Sequence, residues 1–209
     1  MPITIYLLFC TVALIASLTP GPAVMLAIRN GANHGWRNAI PSSLGNISGL
    51  FCLACLSMAG LGALMKSSAV VFGIVKLIGA GYLIYLGIKQ WRNAGQATQR
   101  EQHASKAVGA RALYTEGLLL ALTNPKAILF ITALLPQFIS TDASLARQFL
   151  ILVGTFMTLS FSALMSYATL ASVAQDRFLG LLRSRGFNRA TGACFVGLGV
   201  FLLRLRRVA

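Results

Sequence analysis

Between Arg37 and Lys66 the chain runs for twenty-eight residues without a charged side chain. About twenty mostly apolar residues cross a hydrocarbon core of ~30 Å as a helix. Lipid offers no partner to backbone amides and carbonyls, so a helix, whose bonds close within the segment, is the form such a run takes there. Of the 209 residues 56% are hydrophobic and 11% charged, and mean hydropathy is +0.74, well outside the composition of soluble domains. The expectation is an all-α, polytopic membrane protein.

Six segments qualify or nearly so: about 3–28, the stretch between Arg37 and Lys66, about 67–88, about 112–139, about 146–174 and a short one at about 190–203. One polar linker, 89–111, divides them into a first three-helix repeat, 1–88, and a second, 112–209. Lys and Arg mark cytoplasmic loops. Arg29 and Arg37, then Lys89, Arg92, Arg100, Lys106 and Arg111, then Arg177, Arg183, Arg185 and Arg189 follow the first, third and fifth segments, whereas the alternate loops hold Lys66 and Arg147. The linker is therefore cytoplasmic and both termini face away; Arg204, Arg206 and Arg207 in the tail argue the other way, and a sixth segment that fails to span would remove that conflict. The net charge of +14 is loop charge that meets anionic lipid, not a stripe for nucleic acid. The amino terminus lacks the basic start of a secretory signal, so the first apolar run is expected to be retained.

An odd number of spans per half turns the second half upside down relative to the first, which makes the halves inverted repeats. The residues agree: LTPGPAVML (18–26) lies over LTNPKAILF (122–130), so the first helix of each half is broken at a matching place. Pro20, Pro22 and Pro125 each remove a backbone donor and clash with the preceding turn, and Gly21 adds freedom. In hydrocarbon an unpaired amide or carbonyl costs several kcal/mol. Both breaks should therefore face the protein interior or a polar cavity. Helix amides freed at a break suit a carboxylate and freed carbonyls suit an ammonium, the two groups of a zwitterionic amino acid. The expected substrate site is thus Thr19, Pro20, Gly21, Pro22, Thr123, Asn124, Pro125 and Lys126, with the halves rocking around it in alternating access. Prolines that merely kink helices for packing are the other reading.

With these breaks go Gly45 and Gly49 in the second segment, KLIGAGYLIYLGIK (76–89), NPKAILF (124–130) and Pro136-Gln137-Phe138. As a set they resemble the lysine exporter (LysE) type of bacterial amino-acid exporters, close to its homoserine and threonine branch, over nearly the whole length. The resemblance implies a multi-pass exporter in the bacterial inner membrane that moves amino acids or close derivatives out of the cytoplasm, driven by the proton gradient and needing no cofactor. Glu116 departs from the family pattern, where a basic or neutral residue is usual, so it is not carried over as a family site.

Charges at bilayer depth face partners or water. Lys126, just after the second break, is placed to hold a substrate carboxylate. Glu116 is the candidate for proton coupling; at ~1.5 Å per residue it lies only about 7 Å from the linker, and the other reading is that it reaches the interface. Ten residues of ideal helix set Glu116 and Lys126 on different faces, so unless the break distorts the helix strongly Lys76 is the better partner for Glu116 if it has one. Gly45-x-x-x-Gly49 is read as a close helix contact, and Gly79, Gly81 and Gly87 likewise. Cys10, Cys52, Cys55 and Cys194 are read as small apolar side chains of buried helices; Cys52-x-x-Cys55 has no second pair, so no metal is expected.

With four acidic residues, no close carboxylate pair and both histidines, His34 and His103, read as loop residues, catalytic residues are not expected and an intramembrane enzyme is disfavoured. A channel for small solutes or ions stays as the alternative function, since broken helices line pores too. The expected partners are an amino-acid substrate, protons and the lipid bilayer, with no nucleic acid; a homo-oligomer is left open.

Overall fold

In the computed structural model, whose described residues are 2–66, 109–139 and 143–173 with scattered positions between 77 and 92 and between 184 and 200, every regular element is helical. The first segment is two helices, α1 (Ile3–Leu18) and α2 (Pro22–His34), bent by 54° at the break. Thr19 leaves α1 with extended backbone, and Pro22 stands at the first turn of α2, where its missing amide proton has no helical acceptor to lose. The helix runs beyond the expected end at 28, so His34 is its last residue, not a loop residue. It stops at Gly35, whose φ of +80° is readily available only to glycine. A 3-10 turn, Trp36–Asn38, leads into α3 (Ala39–Lys66), and the Arg37 guanidinium lies 5.3 Å from the centroid of the Trp36 ring.

After the linker come α4 (Ala110–Thr123) and the short α5 (Pro125–Leu129), which continues as a π turn (Phe130–Leu134) and a 3-10 turn (Leu135–Phe138) around Pro136. This second pair is also bent by 54°. The π turn widens the helix by one residue just before Pro136, whose ring cannot continue it. The fifth segment is α6 (Leu145–Val173). Helix α3 and helix α6 are each long and apolar enough to cross a membrane, and each bent pair, counted as one segment, also meets that length and composition. In the expected third and sixth segments the described positions are helical; Lys76, Gly79, Cys194, most of the linker and the tail lie outside the described residues.

The distribution of side chains explains why these helices assemble in lipid. Leu7, Leu14, Leu44, Leu56, Leu119, Leu150 and Leu170 point outward, while Ser17, Thr19, Asn30, Ser42, Asn46, Asn124 and Ser160 are buried. Water would drive the reverse arrangement; a bilayer accepts the leucines and leaves the polar groups to find partners inside. Cys52 and Cys55 are exposed on the outer side of α3, a correction to their reading as buried: the helix turns Leu50 and Ala54 to the core and carries these two residues away from it.

Small residues set the closest approaches, as expected for Gly45 and Gly49. A Cβ on Gly45 would stand 1.9 Å from the Tyr114 carbonyl oxygen, and one on Gly117 1.9 Å from that of Ser42, so α3 and α4 meet backbone to backbone. Gly31 meets Ala168 in the same way, joining α2 to α6. Gly87 and Gly192 meet reciprocally, joining the third segment to the sixth. Among the described residues, nothing lies within 4 Å of a Cβ placed on Gly81.

Candidate functional site

The two breaks come together. Lys126, in the first turn of α5, extends its Nζ to the carbonyl oxygen of Thr19 at 2.7 Å, a contact across 107 residues of chain. Gly21 makes room for it: a Cβ there would lie 3.4 Å from Lys126 Cδ and 3.6 Å from Nζ. The neighbouring freed carbonyl, that of Leu18, accepts from the Tyr167 hydroxyl of α6 at 2.5 Å. The ammonium expected at the first break's carbonyls is thus, in this state, the protein's own.

The second break is closed differently. Asn124 caps α5 with its side chain, whose Oδ1 accepts from the Lys126 amide at 3.1 Å. Asparagine is a strong capping residue because its short carbonyl reaches the second amide of the helix that follows, so NPK reads as a cap as well as a break.

Around these contacts lies a partly enclosed cavity of about 50 Å³, lined by residues that include Gly21, Asn46, Asn124, Lys126 and Ser160. On the measure by which one water needs about 10–15 Å³, this space holds a few waters. Its polar wall includes Ser17 and Ser160, whose hydroxyls are 3.3 Å apart. The apolar wall is Leu50, Leu164 and the stacked rings of Phe130 and Phe156, 4.4 Å between centroids.

Of the eight residues expected at the site, Gly21, Asn124 and Lys126 line the cavity. Thr19 is buried beside it, with its hydroxyl donating to Ile15 and its carbonyl held by Lys126; Pro20 is buried as well. Pro22, Thr123 and Pro125 are exposed, and the Thr123 hydroxyl donates to its own helix at Leu119. Asn46, Ser17, Ser160 and Tyr167 were not anticipated. A signal for Asn46 existed: it is an amide in an uncharged span, flanked by Gly45 and Gly49, where a polar group needs a reason.

Glu116 lies apart from the cavity and pairs with Arg29; Lys76, its expected partner, lies outside the described residues. Arg29 Nη2 donates to both carboxylate oxygens at 2.6 Å, with about half of each side chain exposed. Spacing along α4 gave no hint of this, because α2 crosses α4 from the other half of the chain. From Arg29 the contacts run inward: its guanidinium donates to Asn30 Oδ1, and Asn30 Nδ2 donates to Ser42 Oγ at 2.9 Å. Among the described residues no group of three or more His, Cys, Asp or Glu could hold a metal ion.

Comparison with known proteins places the chain. The family described as LysE type translocator matches residues 14–206. A homoserine/homoserine lactone efflux protein of Salmonella typhimurium is 36% identical over 201 residues, 96% of this chain and 95% of the relative. A leucine efflux protein of Klebsiella pneumoniae is 33% identical over 205 residues, covering 96% and 95%, and an uncharacterized membrane protein of Vibrio cholerae is 34% identical over 202 residues, covering 97% and 98%. No solved structure matches.

Proposed function

This chain belongs to the LysE-type translocators and is therefore a transporter, not an enzyme; from that premise we propose that it exports amino acids or close derivatives across the bacterial inner membrane by proton-driven alternating access. The observation that carries this reading is the bond from Lys126 at one helix break to the Thr19 carbonyl at the other, beside a cavity that both breaks line.

A substrate carboxylate competes with the Thr19 carbonyl for the Lys126 ammonium. The carbonyl offers the ammonium a dipole, whereas the carboxylate offers a full opposite charge, whose attraction is large in a site of low dielectric. The exchange therefore favours the carboxylate, unties the first break from the second and lets the halves move. The two halves act as inverted repeats, 1–88 and 112–209 around the linker 89–111; the equal 54° bends and the reciprocal Gly87–Gly192 contact support that reading. The cavity is small as it stands, so taking up an amino acid requires the rocking that alternating access supplies.

Proton coupling is assigned to Glu116. Protonating it discharges the carboxylate and releases Arg29, which loosens α2 from α4 at the end of the bundle next to the basic loops. A zwitterion has no net charge, so exchange for one inward proton gains ~2.3 kcal/mol per 100 mV and ~1.4 kcal/mol per pH unit. That drives concentration of tenfold or more.

Counterflow in proteoliposomes tests the reading. Vesicles holding unlabelled homoserine or leucine should accumulate the labelled form transiently without a proton gradient, and Glu116→Gln should slow proton-driven efflux while sparing this exchange. Passive equilibration without overshoot would mark a channel, and unaltered pH dependence in Glu116→Gln would remove the coupling assignment.

A further inference from the structure

Two buried polar atoms on α3, Asn46 Oδ1 and Ser43 Oγ, have no hydrogen-bond partner among the described residues. Both residues are almost wholly buried, at 4% and 2% exposure. They stand three residues apart, hence one above the other on the same side of the helix. Ser42, beside them, is bonded both to Asn30 and to the Ala39 carbonyl, so this stretch is able to satisfy its hydroxyls locally and Ser43 is an exception. Leaving such atoms unpaired is unfavourable, and a transport pathway is one place where the missing donor arrives with the ligand.

Asn46 lines the same cavity as Lys126. Lys126 supplies positive charge there, and no acidic residue lines that cavity among the described residues. What the cavity lacks is a donor for Asn46. An α-ammonium group is a compact set of three donors on the carbon next to the carboxylate.

We propose that Asn46 Oδ1 receives the α-ammonium of the transported molecule while Lys126 holds its carboxylate, and that Ser43 Oγ, one turn nearer the Ala39 end of α3, receives the same ammonium on its way to or from the cavity. The assignment rests on the export reading above and adds to it a substrate rule. The site takes α-amino acids with neutral side chains, rejects the matching 2-hydroxy acids, and has no acidic group to favour a second cationic charge. An amide acceptor suits this role better than a carboxylate, which would pair with Lys126 and close the cavity.

The test uses the full-length protein in proteoliposomes and counterflow of labelled L-homoserine, competed by unlabelled L-homoserine or by 2,4-dihydroxybutanoate, its 2-hydroxy analogue. The wild type should prefer the amino acid by about tenfold or more, the scale of one hydrogen bond to a charged group. Asn46→Ala should raise the half-inhibiting concentration of homoserine about tenfold and leave that of the hydroxy acid within about twofold, so the preference collapses. Ser43→Ala should slow exchange and change the preference less. Should Asn46→Ala fail to insert, Asn46→Leu gives the same information, because it removes the acceptor while keeping the side-chain volume and suiting an apolar span. An unchanged preference in Asn46→Ala or Asn46→Leu, with exchange still abolished by Lys126→Ala, overturns this assignment and leaves the export reading standing. Wild-type vesicles that exchange neither homoserine nor leucine overturn both.

Discussion

The two helix breaks share a bend angle and a proline at the start of the second helix, yet they are held in opposite ways. At the second, Asn124 caps its own helix from within. The first is satisfied from outside, because Gly21 has no side chain to cap with and the carbonyls of Leu18 and Thr19 are taken by Tyr167 and Lys126 from the other half of the chain. A self-capped break is a fixed support, whereas one held by distant donors changes when a donor leaves. On the export reading proposed above, the difference makes the first break the element that moves and Lys126 the latch that a substrate releases.

That contrast can be broken by substitution. Lys126→Ala removes the latch and the carboxylate site together, and efflux should fall about a hundredfold or more, in line with the 2–5 kcal/mol lost when one partner of a buried charged pair is truncated. Membrane insertion, followed by immunoblot of the membrane fraction, should persist. Tyr167→Phe strips the other donor from the first break and leaves the Leu18 carbonyl unpaired, which should lower stability by about 1–3 kcal/mol in thermal unfolding of the detergent-solubilised protein. Asn124→Ala removes only a cap; the expected loss is about 1 kcal/mol, and Asn124→Ser should recover most of it. Smallest is Gly21→Ala, since the backbone there is extended and the new methyl would sit 3.4 Å from Lys126 Cδ, an ordinary contact. Its stability change should stay within about 0.5 kcal/mol, whereas Gly21→Leu should displace Lys126 and behave in transport assays like loss of the latch.

The breaks and a close contact on the Gly45–Gly49 face of α3 were legible because each is written locally, as prolines at matching places or glycines four apart, though α4 as the partner was not. Hydropathy likewise located the helices that α3 and α6 form. What it could not supply is rotation about the helix axis: an apolar window has no marked face, so nothing in it told that Cys52 and Cys55 turn outward while Asn46 turns in. Nor could spacing find partners contributed by the other half. Arg29 meets Glu116 across 87 residues and Lys126 meets Thr19 across 107, distances over which sequence pattern carries no register. The chemistry of the second break was half legible. Asn before Pro was read as an amide for the substrate, and its first use is as a helix cap.

The latch itself is open to direct observation. The chain has five lysines, so the 15N-lysine solid-state NMR spectrum of the protein in bilayers is simple, and Lys126→Arg assigns the Nζ signal. If the Lys126 ammonium passes from the Thr19 carbonyl to a substrate carboxylate, that one signal should shift on addition of L-homoserine or L-leucine and stay in place with the corresponding amine that lacks a carboxylate. A Lys126 signal that holds still while saturating amino acid is being exchanged would contradict the account.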